Sequence, residues 1–137
     1  MIHIGELWIQ NEQEAYLAHQ WTQRLASLVK LSIGNHARLS SAVSQVAQSL
    51  YHYHLCVHVS YNIVSYETDA EDRQWLQVTL REAQGFLPLG EQIQQPTLSR
   101  KDLLKWLGLT QNIITRFCLE AEEGKPIKVV MAKPLPT

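Results

Sequence analysis

The hydrophobic period of this chain changes once, near its middle, and that change limits the folds open to it. Up to Leu50, apolar residues recur every three or four positions: Ala18, Trp21, Leu25 and Leu28, then Leu39, Val43, Val46, Ala47 and Leu50. Such spacing lines one face of a helix. From Leu55 the period is two: Val57, Val59, Tyr61 and Ile63 point one way, and Cys56, His58, Ser60 and Asn62 the other. After the polar turn "YETDAEDR", the stretch "WLQVTL" (Trp75 to Leu80) alternates again and reads as the partner strand. Helices in a run and strands in a run argue for an α+β, two-layer sandwich, with the helices packed on one face of a mixed β-sheet. Trp21, Leu25, Val43, Val46, Leu50, Val57, Val59, Leu76 and Val78 are the expected core between the layers.

Local signals set the boundaries. Glu6 to Ile9 reads as a short first strand, and Asn11 with Glu14 three residues later forms a capping box for a helix ending near Val29. In the turn "SIGN", Gly34 breaks the helix and Asn35 caps the next one, which runs to about Tyr53. Between Arg81 and Leu98 periodicity is lost, and residues 85–98 read as a long loop with two prolines, the kind of insertion that usually carries function. Ser99 caps a short helix with Leu103, Leu104 and Leu107 that Gly108 ends, and Thr110 caps another with Ile113, Ile114 and Phe117. "CLEAEEGKPIKVVMAKPLP" reads as two strands joined at Glu123-Gly124.

Length and charge narrow the function classes. A chain of 137 residues fits a single domain, able to bury about two-thirds of its unfolded surface. Twelve basic residues against thirteen acidic ones give no bias toward nucleic acid or anionic membrane. The N-terminus has no basic start followed by an apolar run, and no apolar stretch approaches the roughly 20 residues of a membrane span. Cys56 and Cys118 lie in apolar, strand-like segments and read as two buried thiols in a reducing, cytoplasmic setting.

The densest chemical cluster is "YHYHLCVH", in which His54, Cys56 and His58 stand at i, i+2 and i+4. A strand would project all three onto one face, and imidazole and thiolate are zinc ligands. Against a metal-binding module, no distant residue at a ligand spacing completes four-coordination, and same-face neighbours on a strand are about 6.6 Å apart. A sheet face partly open to water accommodates the same histidines without any metal.

With this element order, three stretches resemble a known family. "ELWIQNEQEAYLAHQWTQRLASLVKLS", "ARLSSAVSQVAQSLYHY" and "TRFCLEAEEGKPIKVVMAKPLP" resemble, in order, the opening strand and helix, the motif helix and the closing hairpin of the small GHKL-superfamily ATP-binding (Bergerat) domain. The likeness is to its anti-sigma-factor, serine/threonine-kinase branch, of the RsbT and RsbW type, and runs over nearly the whole of residues 1–137. The motif helix of that family reads approximately S-E-L-A-R-N-A, the closing hairpin F-x-I-x-S-x-x-G-K-G-T.

The resemblance implies a nucleotide site, and this chain departs from it at each chemical position. Aligning "SQVAQSL" puts Gln45 where the family's glutamate acts as general base and Ser49 where its asparagine holds Mg²⁺ against ATP. An amide cannot take a proton near neutral pH, and Ser49 offers the metal one hydroxyl on a shorter side chain. In the D-x-G-x-G motif after the central strand, Arg81 stands at the adenine-reading aspartate, Ala83 at the first glycine, and Gly85 alone is retained. A guanidinium offers only donors to an amino group that is itself a donor. The glycine-rich lid is replaced by "QPTLSRKDLLKWLGLTQ", with the single glycine Gly108. The resemblance therefore implies a regulatory, non-catalytic module with no cofactor. Its expected partners are proteins such as a sigma factor or an anti-sigma antagonist, with a homodimer through the first strand and helix. Trp8, Trp75, Phe86 and Trp106 are the apolar candidates for contact, although core packing accounts for most tryptophans. The alternative is an active ATP-dependent kinase with an atypical site, in which Glu82 or an acid of "YETDAEDR" replaces the missing groups and Mg-ATP is the cofactor.

Overall fold

The computed structural model describes residues 1–54, 56–66, 73–83, 101, 104–105, 107, 116–122 and 126–136. Their elements run β1 (Ile2–Ile9), α1 (Glu12–Leu28), α2 (Ile33–His54), β2 (Val57–Ser65), β3 (Gln74–Glu82), β4 (Arg116–Glu120) and β5 (Lys128–Pro134). The expected loop at 85–98, with Gly85 and Phe86, lies outside the described residues, as do Trp106, Gly108 and the turn at Glu123-Gly124. Phe117, expected on a last helix, lies instead in β4.

The helix starts and stops follow local chemistry. Asn11 accepts from the Glu14 backbone N–H at 2.9 Å, and its own amide donates to the Glu14 carboxylate at 2.8 Å. That is the expected capping box, closed side chain to side chain. The helix ends where Lys30 adopts a left-handed φ of 61° and the Leu31 N–H turns back to the Ala26 carbonyl at 3.1 Å. That closure has the geometry usually supplied by glycine, and Leu31 buries its side chain beside it. The cap of α2 is Ser32, whose Oγ accepts from the Asn35 N–H at 3.3 Å, so the helix begins ahead of the expected cap at Asn35. Gly34 and Asn35 fall in its first turn. A hydrogen bond from His36 Nε2 to the Gln23 carbonyl at 2.7 Å ties that turn to α1.

The strands form one sheet in the order β1-β2-β3-β5-β4, and each neighbouring pair is antiparallel. The expected mixed sheet is corrected here, and the connection between β1 and β2 explains why. A parallel neighbour needs a single crossover that carries the chain back to its starting end. A hairpin of two helices goes out and returns, leaving the chain at the end where β1 stopped.

Both helices lie on one side of the sheet, and the core is the layer between them. Ile9, Leu39, Val43, Val46, Leu50, Val57, Val59, Leu76, Val78, Leu80, Val129 and Met131 are all fully buried there. Eight of the nine expected core residues are buried; Trp21, at 37% exposed, is the correction. The buried face of α1 is built from Ala15, Ala18, Thr22, Leu25 and Ala26, small enough to bring the helix close to the sheet. Trp21 sits at the rim of that face, its indole nitrogen over Gly5 of β1. Within the layer, Thr22 donates to the Ala18 carbonyl at 2.7 Å, so its oxygen is left to accept from the buried Tyr61 hydroxyl at 2.8 Å.

Candidate functional site

Helix α2 and the end of β3 carry the described residues of the implied nucleotide site. Gln45 and Ser49 stand one turn apart on α2, away from the Val46 and Leu50 face; Gln45 is exposed and Ser49 half-buried. The Ser49 hydroxyl donates to the Gln45 carbonyl at 2.9 Å, a bond within the helix backbone. Neither side chain supplies a proton acceptor or an anionic metal ligand. Gln45 and Ser49 thus do not fit Mg²⁺-phosphate chemistry of the implied kind.

At the end of β3 the alternation of the strand separates the candidates. Leu76, Val78 and Leu80 face the helices, and Glu82 shares their parity; it is 3% exposed. Arg81 falls on the opposite face with Thr79 and Gln77, and is exposed. The Glu82 N–H donates to the Ile127 carbonyl at 3.0 Å, and the Ala83 N–H to Cys56 at 3.3 Å, so the strand is held to both neighbours up to its last residue. The acid directed at the helix layer is therefore Glu82, one place beyond the position the motif alignment assigned. Period-two alternation already carried that signal, since Leu76, Val78, Leu80 and Glu82 are evenly spaced. Gly85 and Gly108 lie outside the described residues.

The histidine and cysteine cluster is divided between elements. His54 is the last residue of α2, whereas Cys56 precedes β2 and His58 lies within it, so no single strand presents all three. His58 donates from Nε2 to Glu6 Oε2 at 3.1 Å and stacks on Trp8 with ring centroids 4.2 Å apart. Cys56 is buried; burial, and then the negative charge of Glu14, push its thiol up from the ordinary range. Cys118 is exposed on β4, which corrects the expectation of two buried thiols. Among the described residues, no group of three His, Cys, Asp or Glu side chains is placed to hold a metal ion.

Two features of the helix-free face of the sheet depend on long-range pairing. Arg116 of β4 lies over Tyr66 at 4.0 Å and over Trp75 at 4.8 Å, closing a small cluster with Val64 and Ala132. Nearer the other end, Arg81 stands directly opposite His58 on one side and Lys128 on the other. Among the described residues, no helix is long and apolar enough to cross a membrane. No protein-family model matches the chain, and no curated protein matches it.

Proposed function

We propose that this chain is a cytoplasmic, regulatory switch-type module resembling the anti-sigma-factor kinases of the GHKL superfamily, acting by protein–protein contact and not by phosphoryl transfer. The observation that carries this reading is on α2. The general-base position holds the amide of Gln45, and the metal-ligand position holds Ser49, whose hydroxyl is bonded to the backbone of its own helix. The element order, strand, two helices, two strands and a closing pair of strands, supports the same reading. The partner class is a sigma factor or its antagonist. Self-association through β1 and α1 is supported by Ile2, Leu17 and Leu28, which are about half to three-quarters exposed along that edge.

The test is calorimetric titration of Mg-ATP and Mg-ADP into the purified protein, with EDTA controls and a thermal-shift assay alongside. No heat and no shift up to millimolar nucleotide is the expected result. Micromolar, magnesium-dependent binding would overturn it.

One observation favours a second reading. Glu82 is a carboxylate buried at the end of the middle strand and directed to the helix layer, where an atypical kinase site would need its acid. On that reading Mg-ATP binds, and Glu82→Gln abolishes phosphorylation of a partner while leaving the fold intact. Unchanged activity in that variant would remove Glu82 from the site.

A further inference from the structure

We propose that the helix-free face of the sheet carries an oxyanion-binding site built on Arg81 and Lys128, suited to one carboxylate or phosphoryl group on a protein segment. The site stands on the sheet geometry; only the assignment of its ligand to a protein rests on the function proposed above.

Arg81 is the central member of a row that crosses three neighbouring strands. His58 on β2 and Lys128 on β5 are its directly opposed partners. Directly opposed side chains in an antiparallel pair start about 5 Å apart, on the same face. That face is the one turned away from the helices, because Leu80 and Val129, the adjacent residues of opposite parity, belong to the core. Arg81 is exposed and Lys128 half-buried.

Sheets ordinarily set opposite charges across from each other, and like charges in that position repel. Here two permanent cations face one another. Among the described residues neither Arg81 nor Lys128 makes a side-chain hydrogen bond or an ion pair. His58 does not relieve them, since its Nε2 is turned to Glu6 on the far side. Glu120, the β4 partner of Lys128, is exposed and forms no ion pair with it. The arrangement pairs the flat, forked donors of an arginine with the point charge of a lysine, a combination that grips a single oxyanion.

The same row sets the size of the ligand. Trp8 faces His58 at one end, with the Glu6 carboxylate bonded to that histidine from one same-face pair further along, and Glu120 lies beyond the other end. The cationic stretch is thus about two strands wide, enough for one anionic group and hostile to a polyanion such as nucleic acid.

The experiment is a titration of the ¹⁵N-labelled full chain at low ionic strength, read by amide and arginine side-chain shifts. The probes are inorganic phosphate, a short phosphoserine peptide, and matched peptides with aspartate or with serine in its place. Saturable shifts centred on Thr79, Arg81, Lys128 and Val130 are expected, with the anionic peptides binding more tightly than phosphate and the serine peptide silent. Arg81→Gln with Lys128→Gln should weaken binding by about tenfold or more, and Glu120→Gln should tighten it by about twofold by removing a competing charge. Shifts that never saturate, that scatter over all basic residues, or that survive the double substitution would overturn the site. Phosphate binding as tightly as the peptides would overturn the protein ligand and leave the anion site standing.

Discussion

Tyr61 shows how one polar group is carried into a core. Its hydroxyl is fully buried and donates to Thr22, which in turn donates to the Ala18 carbonyl. Removing the two ends of this chain has unequal consequences. Tyr61→Phe deletes a donor and leaves Thr22 still bonded to its helix, at a cost of about 1 kcal/mol. Thr22→Val strands the buried phenol without an acceptor and costs about 1–3 kcal/mol. Urea unfolding of the two variants should therefore rank Thr22→Val as the less stable; the reverse order would contradict the assigned donor directions. Burial also pushes the Tyr61 phenol up to about 12, with the Thr22 hydrogen bond opposing in part. An unfolded tyrosine titrates near 10. The folded chain keeps this proton where the unfolded chain gives it up, so the contribution is complete below about pH 10 and is lost as pH rises toward 12. Alkaline unfolding curves should show that loss in the wild type and a shallower one in Tyr61→Phe.

At the level of elements, what could be read from the sequence was what neighbouring residues decide among themselves. Asn11 and Glu14 announced the start of α1, and the spacing of Leu39, Val43, Val46 and Leu50 gave the buried face of α2. Misreadings arose where two residues competed for one role. Ser32 and Asn35 are both good caps, and Ser32 prevails because its oxygen reaches the N–H three residues on. The end of α1 offers a direct test. Lys30 holds a left-handed φ of 61°, a conformation that costs a side chain roughly 1 kcal/mol and glycine nothing. Lys30→Gly should raise the melting temperature by a few degrees, roughly 3–6 °C for a domain of this size. A fall would mean that the lysine side chain contributes more than its backbone strain removes.

For the whole molecule, the sheet order was the least legible feature. Nothing local tells β5 to enter between β3 and β4, or sets Arg81 against Lys128, because such pairings join residues far apart in sequence. The candidate site was legible in its residue types on α2 and in the parity of β3, which turns Arg81 and Glu82 to opposite faces, but not in the strand pairing that surrounds them. The proposed self-association belongs at this scale as well. Sedimentation at micromolar concentrations should give a dimer, and Leu17→Glu with Leu28→Glu should return a monomer with an unchanged circular dichroism spectrum, since both side chains are exposed. A wild-type monomer at all accessible concentrations would count against that surface. The placement of β5 also fixes an order of events during synthesis. When β4 leaves the ribosome its hydrogen-bonding neighbour has yet to be made, and β3 presents a bare edge to the same gap. The sheet closes only when Val129, Met131 and Ala132 arrive and are wholly covered. A nascent chain stalled after Glu122 should therefore hold at most a three-stranded fragment with an open flank, the state in which chaperones would find it and proteases would cut it.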